Sequence, residues 1–236
     1  VHAARPTQAA LAGRGYWSYD FALPLLTLHA LVTGSPAYLA AHLAAAPARQ
    51  FTTLDTHDGI PVLPDLIGAL PEAEMAVAVE HCLARGANLS RLLSATGRPM
   101  QGFDAHQINI TYYSALDADD AAYLSARAIQ LFAPGIPQIY YVGLLAGEND
   151  PSGVTATGDG RAINRHNYTL EEAHAALARP VVRQLVELIQ LRSEHSAFGG
   201  AFSVSQRGED ALRLAWQNGS ARAELGVDLR SRRAIV

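Results

Sequence analysis

Residues 51–61 read FTTLDTHDGIP, with His57 and Asp58 side by side after a β-branched run and directly before Gly59. An imidazole next to a carboxylate can ligate a metal, pass protons, or hold a polar ligand between a donor and an acceptor. Composition narrows the chemistry such a pair can join. Every one of the 18 Lys+Arg residues is arginine. With no lysine, Schiff-base chemistry, pyridoxal-type catalysis and a P-loop lysine are excluded within this chain, and any anion must be held by Arg, His or backbone N–H groups.

The same composition bounds the class of molecule. A net charge of −4 with scattered arginines leaves no basic stripe, so no nucleic-acid partner is expected. The single Cys82 excludes an internal disulfide and any multi-cysteine metal site, and its setting among helix formers points to a buried, inert thiol. No window approaches the roughly 18–20 apolar residues of a membrane span, and the start of the sequence lacks the basic-then-apolar order of a signal peptide. The expectation is a cytoplasmic protein with no membrane partner, no metal and no cofactor.

Around the His-Asp pair, strand and helix signals alternate. WSYDFALP is a short aromatic and aliphatic run ending at Pro24, and LLTLHAL after it has the all-round apolarity of a buried helix. FTTLDTHDG repeats the strand type and stops at Gly59. Acids over residues 117–120 mark a helix start, with Leu124, Ala128 and Leu131 on one face until Pro134 ends it. PGIP then turns the chain into QIYYVG, which is expected as a further strand. LLAGENDPSGVTATGDGR follows as a long loop without its own core. Thr169 with Glu172 predicts a capping box, and Pro180 opens a helix with Val181, Leu185, Leu188 and Ile189 in one stripe. After Phe198 the pattern becomes antiparallel, with Asn218-Gly219 expected as a hairpin turn. Strand-helix alternation predicts a parallel sheet or barrel with helices outside, and reactive groups then collect at the C-terminal ends of the strands.

YDFALP, LDTHDGI, GFDAHQINITYYSAL, PGIPQIYYVGLLAGEND and GRAINRH, in this order and spacing, resemble the sucrose phosphorylase family of the α-amylase superfamily. The likeness runs from Tyr19 to about Phe202. It implies an α/β fold, the C-terminal half of a (β/α)8 TIM barrel with an inserted subdomain and a C-terminal antiparallel β domain. Strands six and seven would fall in residues 1–58, the insertion in 59–117, strand eight with its helices in 118–197, and the β domain in 198–236. A barrel of this type takes about 250 residues before insertions. The family's aspartate nucleophile and glutamate acid/base therefore have no counterpart here, the latter lying just before a segment that Val1-His2 resembles. This polypeptide alone is expected to be inactive.

The resemblance also implies roles. Asp58 matches the aspartate that stabilises an oxocarbenium-like transition state, and His57 and Arg161 match groups that hold the glucose ring. Beside Arg161, Ala162 stands where the family usually has an aspartate. In GFDAHQ, Asp104 and Gln107 match residues that contact fructose and phosphate. His106 replaces the usual tyrosine and Ala105 a larger residue. A histidine can be cationic near neutral pH, so the change favours an acceptor that carries its own phosphate, as in the sucrose 6-phosphate phosphorylase branch. The partners implied are a small sugar and inorganic phosphate, with oligomeric state open. Three further histidines, His29, His42 and His81, fall on apolar helices and are expected to be structural, and Asp55 is expected to be a structural hydrogen-bonding group.

Two other classes stay open on the residues alone. A metal-dependent phosphohydrolase also uses adjacent His and Asp, but places them on a helix, whereas here they follow a strand. A non-catalytic carbohydrate-binding remnant fits the missing nucleophile and acid.

Overall fold

The computed structural model describes residues 5–92 and 102–236; Val1-His2 and residues 93–101 of the expected insertion lie outside the described residues. Helix α1 (Arg5–Gly13) leads to strand β1 (Ser18–Asp20), and α2 (Leu23–Thr33) and α3 (Ala37–Ala44) connect it to β2 (Gln50–Thr52). Next come β3 (Ile60–Pro61), α4 (Glu72–Leu83), β4 (Asn88–Arg91) and β5 (Ala105–Asn109). A helical turn α5 (Tyr112–Ala115) and helix α6 (Asp120–Phe132) return the chain to β6 (Ile136–Pro137). The turn α7 (Tyr141–Leu144) and helices α8 (Pro151–Thr157), α9 (Leu170–Ala178) and α10 (Pro180–Glu194) follow. Strands β7 (Ala201–Arg207), β8 (Ala211–Asn218), β9 (Ala221–Asp228) and β10 (Arg233–Ile235) close the chain.

These strands make three sheets. β1, β2 and β6 form a parallel sheet in chain order, with Tyr19, Phe51 and Ile136 in one register row. Side chains alternate across it. Asp20 and Thr52 are buried against α3 and α6, while Tyr19 and Phe51 are half-buried on the opposite face with ring centroids 5.4 Å apart. β3, β5 and β4 form a small antiparallel sheet, and β7 to β10 a four-stranded antiparallel one. The α/β content and the four-stranded C-terminal antiparallel sheet are as expected from the sequence. Among the described residues no helix is long and apolar enough to cross a membrane.

Local chemistry explains the helices that matter to the site. α2 is apolar all round and buried from Leu23 to Leu31, so packing holds it and not a surface stripe. Asp119 caps α6 by accepting from the Ala121 and Ala122 amides at 2.8 and 3.2 Å, and the helix stops before Pro134. Inside α6, Arg127 is fully buried and gives Nη2 to both oxygens of Asp55 at 2.9 Å. Its Nε donates to the Tyr123 hydroxyl and its Nη1 to Gln130 Oε1, each at 2.9 Å. Asp55 lies just past β2, so this ion pair fixes the strand end from behind.

The C-terminal sheet is joined to α6 and α10 through Trp216. Trp216 Nε1 donates to the Phe132 carbonyl at 2.7 Å, and the Arg192 guanidinium stacks on Phe198 and Trp216 while donating to the Gly135 carbonyl. The expected Thr169–Glu172 capping box is present with both of its bonds, and α10 begins at Pro180.

Three expectations are corrected. QIYYVG is not a strand: the ladder lies on Ile136 and Pro137, continues only through the Gln138 amide to the Thr52 carbonyl, and gives way to the turn at Tyr141. The long loop is also not structureless. It contains α8, which Asp150 caps with Pro151 at its first position, followed by a 3-10 turn at Gly160–Asn164. α8 buries none of its residues, which removes the apolar period that signals a helix. Finally, Asn218 pairs with Ala221, so the hairpin loop is Gly219-Ser220, with Gly219 at φ 60° in the glycine-first order of a type II′ turn.

Candidate active site

The His-Asp pair sits beyond the C-terminal end of β2, where the chain reverses through Gly59 into β3. Gly59 has φ 91°, and a Cβ there would lie 2.2 Å from the Ile108 carbonyl oxygen of β5. Only glycine lets the corner press this closely on the neighbouring strand. The corner is therefore set by β5 as much as by its own residues.

At the tip, the Asp58 carboxylate is shared among three cationic or potentially cationic groups. His57 Nε2 stands 3.4 Å from Oδ2, Arg165 Nη2 donates to Oδ1 at 3.3 Å, and Arg161 Nε approaches Oδ1 at 3.7 Å. The last distance is an ion pair beyond hydrogen-bond reach. The Asp58 side chain is 29% exposed and that of His57 68%, so these groups face an open site. Pairs this exposed add about 0–1 kcal/mol each to stability. Their effect is to orient the carboxylate. Among the described residues no group of three or more His, Cys, Asp or Glu is placed to hold a metal, and two guanidiniums at Asp58 oppose a cation there.

Backbone carbonyls on the corner are gripped as well. Asn164 Nδ2 donates to the Thr56 and His57 carbonyls at 3.1 and 3.2 Å, Arg165 Nε to the His57 carbonyl at 2.7 Å, and Asn109 Nδ2 to the Asp58 carbonyl at 2.9 Å. Asp159 caps the 3-10 turn through the Arg161 amide at 2.9 Å and reaches Arg165 Nη1 at 3.5 Å.

The structure thus brings His57, Asp58 and Arg161 together. The residues expected from GFDAHQ stand on or beside β5. Asp104 is buried and pairs with Arg91 at 2.5 Å. His106 donates from Nδ1 to the Leu63 carbonyl at 2.6 Å, which fixes its ring. Gln107 is buried, and its Oε1 has no hydrogen-bond partner among the described residues. Two residues further along β5, Asn109 makes the direct link from this strand to Asp58.

No protein-family model matches the chain. It is 47% identical over 236 residues to a sucrose 6(F)-phosphate phosphorylase from Thermoanaerobacterium thermosaccharolyticum, covering 100% of this chain and 48% of that protein. A glucosylglycerol phosphorylase from Marinobacter adhaerens is 42% identical over 97% of this chain and 47% of its own length. A sucrose phosphorylase from Agrobacterium vitis is also 42% identical, over 100% and 49%. The crystal structure of sucrose 6F-phosphate phosphorylase from Thermoanaerobacter thermosaccharolyticum superposes with a TM-score of 0.94, covering 99% of this chain and 48% of that one.

The chain belongs to the sucrose phosphorylase family. It spans about half the length of the curated relatives it matches, corresponding to their C-terminal half.

Three residues hold the corner without having been singled out by sequence reasoning: Asn109, Asn164 and Arg165. Asn109 and the GRAINRH segment both lie in stretches that carry the family likeness, yet nothing local distinguishes Arg165 from Arg161. Only the long-range contacts do. The histidines expected to be structural are so: His29 binds Glu74, His42 binds buried Asp20 through both carboxylate oxygens, and His81 donates to the Ala115 carbonyl. Asp20 also accepts from the Leu23 amide, and burial works against the His42 bonds that draw its carboxyl below the ordinary value.

Proposed function

We propose that the intact protein transfers a glucosyl group from sucrose 6-phosphate to inorganic phosphate with retention, giving α-glucose 1-phosphate by double displacement. β1, β2 and β6 are strands six, seven and eight of a (β/α)8 barrel, and the antiparallel β3–β5–β4 unit is its insertion. The nucleophile and the acid/base belong to the other half, so the 236-residue chain alone is inactive. The observation that carries this proposal is the Asp58 carboxylate, set at a strand end between His57 and two arginines, in a chain 47% identical throughout to a sucrose 6(F)-phosphate phosphorylase.

The geometry supports a division of labour. As the glycosidic bond breaks, positive charge spreads over the sugar ring, and an ionised carboxylate held to the hydroxyls stabilises that state more than the ground state. Asp58 takes this role and does not attack. His57, two-thirds exposed, donates to a hydroxyl. Arg161, held only loosely at 3.7 Å, turns its donor fork to the ring. Asp104, His106 and Gln107 form the acceptor side, where the buried Gln107 Oε1, without a partner among the described residues, can accept from a hydroxyl. A protonated His106 would pair with a phosphate on the acceptor.

The test uses the full-length protein. Asp58→Asn is expected to lower kcat about 10²–10³-fold, the scale of removing a preorganised electrostatic group. His106→Tyr is expected to shift the kcat/KM ratio from sucrose 6-phosphate towards sucrose. Near-normal turnover in the first variant sinks the role of Asp58, and an unchanged ratio in the second removes the phosphorylated acceptor. Running the reaction backwards from α-glucose 1-phosphate with fructose 6-phosphate, fructose and glycerol separates this reading from that of a glucosylglycerol-type phosphorylase, which a 42% identical relative keeps in view.

A further inference from the structure

We infer that Arg165 is the positioning residue of the Asp58 corner, a role distinct from that of Arg161 and resting on the transition-state role proposed for Asp58. The two arginines approach the same oxygen but are held differently. Arg161 Nε is 3.7 Å from Asp58 Oδ1, outside hydrogen-bond distance. Arg165 fans its guanidinium over three acceptors: Nε to the His57 carbonyl at 2.7 Å, Nη2 to Asp58 Oδ1 at 3.3 Å, and Nη1 to Asp159 Oδ2 at 3.5 Å. Two of these acceptors are on the corner and the third is on Arg165's own loop. A planar, five-donor head can satisfy all three at once, which an ammonium cannot do.

Its neighbour reinforces the grip. Asn164 is 2% exposed and donates its side-chain amide to the Thr56 and His57 carbonyls, so the His57 carbonyl accepts from two side chains of one loop. With Asn109 on the Asp58 carbonyl, three consecutive backbone oxygens are each bound by a side chain from elsewhere in the chain. Arg165 alone among these holders also touches the carboxylate. It therefore couples the backbone position of the corner to the direction in which Asp58 points.

Stability is a poor account of this arrangement. The Arg165 and Asp58 side chains are 32% and 29% exposed, a setting in which an ion pair adds about 0–1 kcal/mol. A reaction that needs the carboxylate oriented against developing charge gains far more from the same contacts. Because the gain arises only in the transition state, losing it lowers kcat and leaves KM nearly as it was.

The experiment measures phosphate-dependent release of α-glucose 1-phosphate from sucrose 6-phosphate and from sucrose by the full-length protein, as wild type, Arg165→Ala, Arg165→Lys and Asp58→Asn. Arg165→Ala is expected to lower kcat about 10²-fold, the cost of a small misplacement of a reacting group, with little change in KM. Arg165→Lys keeps the charge but loses the fork, and is expected not to recover that loss. Guanidinium ion at tens of millimolar is expected to restore part of the kcat of Arg165→Ala, whereas urea at the same concentration does not. Melting of each variant accompanies the kinetics; if Arg165→Ala does not fold, the Lys variant decides, by losing kcat or keeping it. Wild-type kcat in the deciding variant, or a change confined to KM, overturns the inference while Asp58→Asn still shows its expected loss of kcat. A fully active Asp58→Asn would instead show that the underlying reading of Asp58 has failed.

Discussion

Replacing Gly59 by alanine adds one carbon at the tightest point of the His57–Asp58 corner, and its cost can be worked from the structure. At φ 91°, a side chain at this position incurs about 1–2 kcal/mol of backbone strain. The new Cβ would also sit 2.2 Å from the Ile108 carbonyl oxygen, 3.0 Å from its carbon and 3.1 Å from Asn109 Cα. These are backbone atoms, so no rotamer change relieves the clash. β5 cannot simply step back, because Ile108 is paired with Ile60 on one side and with Leu89 on the other. Overpacking that forces a backbone shift adds about 1–3 kcal/mol, so the total is about 2–5 kcal/mol. The full-length protein is about twice this length, so 1 kcal/mol corresponds to roughly 1–2 °C and its melting should fall by roughly 2–10 °C. Activity should fall too, because the same shift displaces Asp58 and the Asn109 bond that holds it; a loss of about 10²-fold in kcat/KM is expected. A Gly59→Ala protein with unaltered melting and unaltered kinetics would refute the close approach of the corner to β5 as the reason for glycine at this position.

Other perturbations probe its supports. Arg127→Met leaves Asp55 desolvated without its ion pair and should destabilise by about 3–5 kcal/mol, whereas adding Asp55→Leu should recover part of that loss; urea unfolding of the single and double variants measures the difference. Cys82 is buried and its thiol is pushed up to about 12, so mass mapping after thiol labelling at neutral pH should find it unmodified in the native protein and modified after unfolding. Asp150 is held down at about 2, from an ordinary 3.8, by the Ser152 hydroxyl, His166 and the Gly153 amide. A depressed carboxyl stabilises the fold fully above its unfolded value and loses that contribution as pH falls towards 2. Asp150→Asn should therefore flatten the acid limb of the stability profile between those values, read by tryptophan fluorescence.

Local signals were legible wherever the chemistry is local. The Thr169–Glu172 capping box, the opening of α10 at Pro180 and the acids before α6 need only neighbours in sequence, and the structure contains all three. The errors have the opposite character. QIYYVG has strand composition, but the register is set by what β2 offers, and β2 pairs with Ile136 and Pro137 instead. α8 carries a legible start in Asp150-Pro151, yet it packs no apolar face, so periodicity could not reveal it. At the candidate site, His57, Asp58 and Arg161 were accessible through the family likeness. Arg165 was not, because its distinction from Arg161 lies in contacts with a segment more than a hundred residues away.

Those distances also set a clock. Asp58 precedes Asn109 by 51 residues and Arg165 by 107. At a translation rate of about 5–20 residues per second, Arg165 leaves the peptidyl-transferase centre roughly 5–20 s after Asp58. Until then the corner has neither its full set of carbonyl grips nor the fork on its carboxylate. The nascent chain thus completes the setting of Asp58 only once residue 165 has been added, and a ribosome stalled before it would carry the aspartate without the contacts that orient it.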